Sequence, residues 1–259
     1  MRAKHRILSP NEHESTADGL CALAIMTKAP RAGGVKTRLK PPLTAEEAAA
    51  LNICFLRDTA GAILRAGACA RGIGCYTPFD AAASYHEIFP SDFQLLPQRG
   101  SDLGERLIFA VEDLLAVGFS AVCLIGSDSP TVPASAFAEA VKILSLPNDR
   151  VVIGPSDDGG YYLIGLKKIQ RRMFEEINWS TGSVFEQTVR KARELGLPVH
   201  LLPPGYDVDD KVTLGRLCQD LLGPNEGGKE IAAIATKNFL REIIKREGRE
   251  RIWHDQAVA

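Results

Sequence analysis

The chain lacks the features that announce most familiar chemistries. Its six cysteines include no Cys-x-x-Cys pair and sit mostly inside apolar runs. That excludes the usual zinc and iron–sulfur spacings and reads as free thiols in a reducing cytoplasm. Five histidines are scattered along the sequence, so neither a His-rich metal site nor a Ser-His-Asp arrangement is suggested. No serine lies in a Gly-x-Ser-x-Gly elbow. No apolar run approaches the ~20 residues of a membrane-spanning helix, so no span is expected. A formal net charge of −1 over 259 residues provides no broad basic field, which argues against nucleic acid as a partner. A small anionic ligand needs only a local basic patch and stays open.

What is present is a composition with 45% hydrophobic and 24% charged residues, enough for a sizeable core, in one large α/β domain or two small ones. Residues 1–19 are polar and read as a loose tail. Residues 20–26 form a fully apolar run that reads as a buried strand. Further short strands are expected at 71–76, 93–97, 121–125, 151–154, 161–166 and 199–202. Between them fall helices, at about 44–67 behind a Thr44/Glu47 capping box, 102–118, 183–196 behind a Ser183/Glu186 box, and 212–222. Apolar strands alternating with amphipathic helices imply a mostly parallel sheet covered on both faces. From about residue 227 the sequence is charged and helical, and is expected to form a peripheral helix.

In such sheets ligands bind beyond the carboxyl ends of the strands, which directs attention to four loops. The first, 27–39, carries Lys28, Arg31, Lys36 and Arg38 around Gly33 and Gly34. Glycines let backbone N–H groups converge on an anion, and the bases supply charge. The loop is not a P-loop, because Val35 and Pro30 stand where glycines are required; its bland alternative is a surface loop with solvated lysines. The second is Gly126-Ser-Asp-Ser-Pro130, where Asp128 would ligate Mg²⁺ or form an Asx turn. The third, 154–162, places Asp157, Asp158, Gly159 and Tyr161 or Tyr162 between two strands. They would contact a second substrate, or the Asp-Gly-Gly stretch is simply a hairpin turn. The fourth is Tyr206-Asp-Val-Asp-Asp210; alternation puts Asp207 and Asp209 on one side, so a second metal ligand would come from here, while Asp209 or Asp210 caps the next helix. Gln98-Arg-Gly100 is suited to reading a base or forming a polar turn, and Trp179 is either core or a ligand platform.

Taken in chain order, the five stretches 28–39, 98–106, 126–130, 154–162 and 207–210 resemble a glycosyltransferase-like bacterial family, the radical-SAM/selenodomain-associated transferases, over residues 20–222. The resemblance implies a single GT-A-like domain of the nucleotide-diphospho-sugar transferase superfamily at residues 20–225, a three-layer sandwich on a mostly parallel sheet, with the peripheral helix at 226–259. It implies that Lys36 and Arg38 grip phosphates with Lys28, Gly33 and Gly34, that Gln98 and Gly100 meet the base, and that Asp128 binds Mg²⁺ or Mn²⁺, completed by Asp209. Ser-Asp-Ser stands where GT-A enzymes carry a full Asp-x-Asp. Asp157, Asp158, Gly159, Tyr161 and Trp179 would face the acceptor. The implied activity is metal-dependent sugar transfer from a nucleotide-activated donor to a small-molecule acceptor. A nucleotidyltransferase releasing pyrophosphate and a non-catalytic nucleotide-binding module remain as alternatives.

Overall fold

The apolar run after residue 20 becomes the strand β1 (Cys21–Lys28) of a computed structural model that describes residues 4–224 and 233–253. It lies inside one sheet with β2 (Ala70–Thr77), β3 (Gln94–Pro97), β4 (Ala121–Gly126), β5 (Val151–Pro155), β6 (Tyr161–Leu166) and β7 (Val199–Leu201), in the order β3-β2-β1-β4-β6-β5-β7. Only β6 runs antiparallel to its neighbours. The reason is local: residues 156–160 make a tight turn, with Ser156 N donating to Gly160 O and Gly159 N to Ser156 O. So short a connection folds β6 back between β4 and β5 instead of crossing over.

Both faces of the sheet are covered, which explains the unbroken hydrophobicity of β1 and β4. Leu23, Ile25, Cys123 and Ile125 pack under helices α1 (Ala45–Leu64) and α3 (Ala134–Ser145). Ala22, Ala24, Val122 and Leu124 pack under α2 (Leu103–Val117) and α4 (Val184–Glu194). The result is the mostly parallel three-layer sandwich that the alternation of elements implies.

Helix α1 starts where its capping box places it: Thr44 accepts from Glu47 N at 3.2 Å and Glu47 accepts from Thr44 N at 2.9 Å. The second box does not form. Ser183 makes no cap bond, and its hydroxyl instead meets Gln187 Nε2 and Thr181 Oγ1. A side chain with a competing partner nearby abandons the cap.

Two other expectations change. Residues 4–19 are packed rather than loose: His5, Leu8, Glu14 and Ala17 are buried, and Leu8 N donates to Leu95 O at the free edge of β3. The otherwise unpaired backbone of that edge strand is thus met at Leu95 by residues 6–8, with Leu95 N donating in turn to Arg6 O. The C-terminal helix, α6 (Ile234–Glu247), packs beside α5 (Lys211–Leu222) against the outer side of α1, through Leu240 and Ile243 on Leu51 and Phe55. Its first turn is held by buried Asp58 of α1, which accepts from Ala235 N at 2.9 Å and Thr236 N at 2.8 Å. Part of the expected 226–259 helix lies outside the described residues.

Candidate active site

The carboxyl ends of β1 and β4, the β5–β6 turn and the stretch after β7 surround a cavity of about 680 Å³, within the size range of small-molecule sites. It is built around one lysine. Lys36 takes a left-handed backbone conformation, φ 49°, at the start of a single 3₁₀ turn, Thr37–Leu39. Leu39 is driven into the core beneath α1, and this turn swings the Lys36 side chain inward so that its ammonium lies 5.7 Å from the Phe55 ring centroid. There it meets Asp128 Oδ1 and Asp209 Oδ1, each at 2.7 Å, and donates to Val208 O at 2.9 Å. Burial by itself lowers the Lys36 pKa; the two carboxylates outweigh it and hold the pKa above its ordinary value.

Asp128 and Asp209 come from distant segments, and a backbone bond aligns them. Val208, fully buried, donates its N–H to Asp128 O at 2.9 Å. Alternation then turns both Asp207 and Asp209 toward the cavity. Asp207 accepts a short hydrogen bond from Ser129. Burial pushes its carboxyl up to about 6, and the nearby Asp128, Asp158 and Asp209 carboxylates add to the rise, against the lowering effect of Ser129. Asp210, facing elsewhere, caps α5 through Thr213 N.

Of the residues singled out in the sequence, Lys28, Gly34, Lys36, Arg38, Asp128, Asp158, Tyr161, Trp179 and Asp209 line this cavity. The Lys28 and Arg38 side chains make no hydrogen bond or ion pair among the described residues. Lys36, expected to grip phosphate, is committed to carboxylates instead. Asp158 stays at the wall, its carboxylate accepting from Gly160 N at 2.9 Å. Burial raises the Tyr161 phenol well above its usual pKa.

Five residues do not line it. Gly33, at φ +74°, shapes the first loop from its exposed side. Gln98 uses its amide donors internally, on Thr27 O at 3.2 Å and Cys75 O at 2.7 Å, where it ties β3 to β1 and β2. Gly100, at φ +115°, fits a turn where a Cβ would lie 2.9 Å from Arg106 N. Asp157 turns to Arg216 of α5, at 2.6 Å. Gly159 is a spacer: at φ +84°, its Cβ would fall 2.0 Å from Gly182 O, so only glycine lets the β5–β6 turn lie against the 179–182 loop. That loop rests in turn on Gly104 at the start of α2, where a Cβ would come 2.8 Å from Trp179 Nε1. Among the other lining residues are Asp207, which the sequence offered only as the companion of Asp209, and Asn52, which it did not offer at all. The Asp207 signal was its alternation with Asp209; Asn52 gave none, because it sits in an apolar helical stretch.

The donor set suits a hard divalent cation. Two 2.7 Å contacts to one nitrogen put the Asp128 and Asp209 oxygens at most about 5.4 Å apart, and Asp158 and Asp207 leave the cavity lining with more carboxylates than bases. Among the described residues no cluster of three or more His, Cys, Asp or Glu side chains is placed to hold a metal. Two carboxylates supplemented by water and substrate phosphate are, however, how Mg²⁺ is commonly held.

A mostly parallel sheet with a carboxylate-rich cavity at its carboxyl edge places the protein in the α/β class that binds small ligands beyond the strand ends. Comparison with known proteins agrees. The structure matches that of a "putative nucleotide-diphospho-sugar transferase" from Desulfovibrio desulfuricans G20, with TM-score 0.77 and 31% identity, covering 88% of this chain and 97% of the other. The chain therefore belongs to the same family, within the nucleotide-diphospho-sugar transferase superfamily. Residues 59–181 match the family described as "Uncharacterized protein conserved in bacteria (DUF2064)". More distant likenesses include Rv0371c from Mycobacterium tuberculosis H37Rv (TM-score 0.49, 17% identity, covering 78% of this chain and 99% of that one). Another is a 4-diphosphocytidyl-2C-methyl-D-erythritol synthase from Anaerococcus prevotii DSM 20548 (TM-score 0.49, 12% identity, 76% and 95%). No curated protein matches the chain.

Proposed function

We propose that this protein transfers a sugar from a nucleotide-activated donor to a small-molecule acceptor, with Mg²⁺ or Mn²⁺ held by Asp128 and Asp209. The observation that carries the proposal is that these two carboxylates already converge on one cation, the Lys36 ammonium. The cavity lining has four aspartates against Lys28, Lys36 and Arg38, so with its carboxylates ionised it is net negative and repels a diphosphate. A bound divalent ion would reverse that sign and neutralise charge building on the leaving diphosphate. Lys28 and Arg38, whose side chains are unpaired, bind its oxygens. Two free bases suit a diphosphate better than a triphosphate, which favours a nucleotide sugar over a nucleotidyl donor. Asp158, Tyr161 and Trp179 border the acceptor side, and Gly159 keeps that wall in place. Gln98 and Gly100 act behind the base through the backbone they position.

The motif order in the loops supports a place among the selenodomain-associated transferases. Six unpaired cysteines, five of them buried, suit a reducing compartment, and we place the protein in the cytoplasm. Among the described residues no helix is long and apolar enough to cross a membrane.

The test is product analysis with a panel of nucleotide sugars and nucleoside triphosphates in Mg²⁺ or Mn²⁺. Release of nucleoside diphosphate from a nucleotide sugar is expected. Pyrophosphate release from a triphosphate would replace sugar transfer with nucleotidyl transfer. No release from any donor, with no binding, would leave the enzyme proposal without support.

A further inference from the structure

Asn52 lies in the second turn of α1, 3% exposed, on the cavity wall. Its Oδ1 is fully buried without a hydrogen-bond partner, and among the described residues neither end of its amide is bonded. The neighbours on the same face of the helix are buried and apolar: Ala48, Ala49, Phe55 and Leu56. A bare amide in such a place costs stability. Leucine has nearly the same shape and would fit the helix and the core better. The apolar surroundings give the fold no use for asparagine here, while the residue forms part of the cavity wall.

The partner it needs can be specified. Lys28 and Arg38 already provide unpaired cations for anionic oxygens at the same cavity. A phosphate oxygen has no hydrogen to donate, so it leaves a buried carbonyl acceptor unsatisfied. A hydroxyl donates to such an acceptor and can also accept from the amide N–H₂. Nucleotide sugars carry hydroxyls on the ribose and on the sugar. We infer that Asn52 is a specificity-determining residue that binds a hydroxyl of the nucleotide-sugar donor. This rests on the proposed function.

The experiment compares wild type with Asn52→Leu and Asn52→Ala by thermal melting and by titration with ADP, CDP, GDP, UDP and their glucose esters, in Mn²⁺. Asn52→Leu is expected to melt at or above the wild-type temperature without ligand, because an unpaired buried polar group is removed. Its affinity for the nucleotide is expected to fall about three- to tenfold, the effect of one hydrogen bond to a neutral group. Asn52→Ala, which leaves space and cannot overpack, should lose affinity equally. Loss with the diphosphate alone assigns the ribose hydroxyl; loss only with the glucose esters assigns the sugar. Two results overturn the inference while leaving the proposed function intact: wild-type affinity in both variants, or a fall in melting temperature for Asn52→Leu with affinity unchanged, which would make Asn52 a structural residue satisfied by water. A wild type that binds none of these nucleotides would overturn the proposed function itself, and the inference with it.

Discussion

Replacing Lys36 by methionine separates the charge at the centre of the site from its packing. Methionine keeps an unbranched apolar stem over Phe55 and removes only the ammonium. Asp128 and Asp209 then face each other uncompensated, their oxygens at most about 5.4 Å apart. Two unit charges at that distance repel by about 3 kcal/mol at an effective dielectric constant of 20. The carboxylates are 35% and 46% exposed, so solvent screens part of this, and a net loss of about 2 kcal/mol follows. For a chain of this size that lowers the melting temperature by roughly 4–8 °C. Divalent metal should restore it. In wild type an incoming Mn²⁺ competes with the ammonium, whereas in Lys36→Met it meets two free carboxylates. The variant should bind Mn²⁺ more tightly, and saturation at about 100 times Kd should add about 2.7 kcal/mol. Scanning fluorimetry across a Mn²⁺ series, with direct titration calorimetry, measures both effects. A Lys36→Met protein that melts like wild type, or one that millimolar Mn²⁺ leaves unrescued, would refute the view that Lys36 holds a cation position shared by Asp128 and Asp209.

Other substitutions probe the surrounding structure. Asp207 has a folded pKa of about 6, raised from 3.8, so the folded state retains its proton longer than the unfolded chain, and stability falls as pH rises from about 4 to 6, by on the order of 2–3 kcal/mol. Asp207→Asn should flatten that decline in metal-free urea melts; an unchanged pH profile would contradict the assignment. Asp58→Ala removes both backbone caps of α6 and should cost about 1–2 kcal/mol; a melting temperature identical to wild type would show that α6 is held by its apolar face alone. Gly159→Ala forces a Cβ toward Gly182 O and should displace the 179–182 loop, at a cost of about 1–3 kcal/mol. Trp179 fluorescence in a Trp253→Phe background would report this, and an unshifted spectrum would count against the spacer role. Arg38→Ala should weaken nucleotide binding several-fold with little change in melting temperature, since its side chain makes no hydrogen bond or ion pair among the described residues and acts on the α5 cap Asp210 only through its charge; equal affinity in calorimetry would remove it from the site.

Much of the architecture follows from the sequence alone, because the signals are local. The unbroken apolar runs of β1 and β4 record burial on two faces, and the Thr44–Glu47 box is four consecutive residues acting on each other. Alternation in 206–210 was enough to put Asp207 and Asp209 on one side, and the glycines and bases of 27–39 marked the loop that lines the cavity. Tertiary structure decided what depends on competition between distant partners. Ser183 has the right spacing for a cap yet bonds Gln187. Gln98 looks like a base-reading amide, but Cys75 O and Thr27 O consume its donors. Asp157 and Asp158 are neighbours in sequence, and only the position of Arg216 sends one to α5 and leaves the other on the cavity wall. Lys36 shows the difference most sharply. Its charge and its loop are written in the chain, but whether that charge faces a phosphate or two aspartates is set by Val208 binding Asp128 and by Leu39 turning the backbone inward. Sequence fixes which groups are available; the free energy of burying a charge, which exists only once three segments meet, determines how they pair.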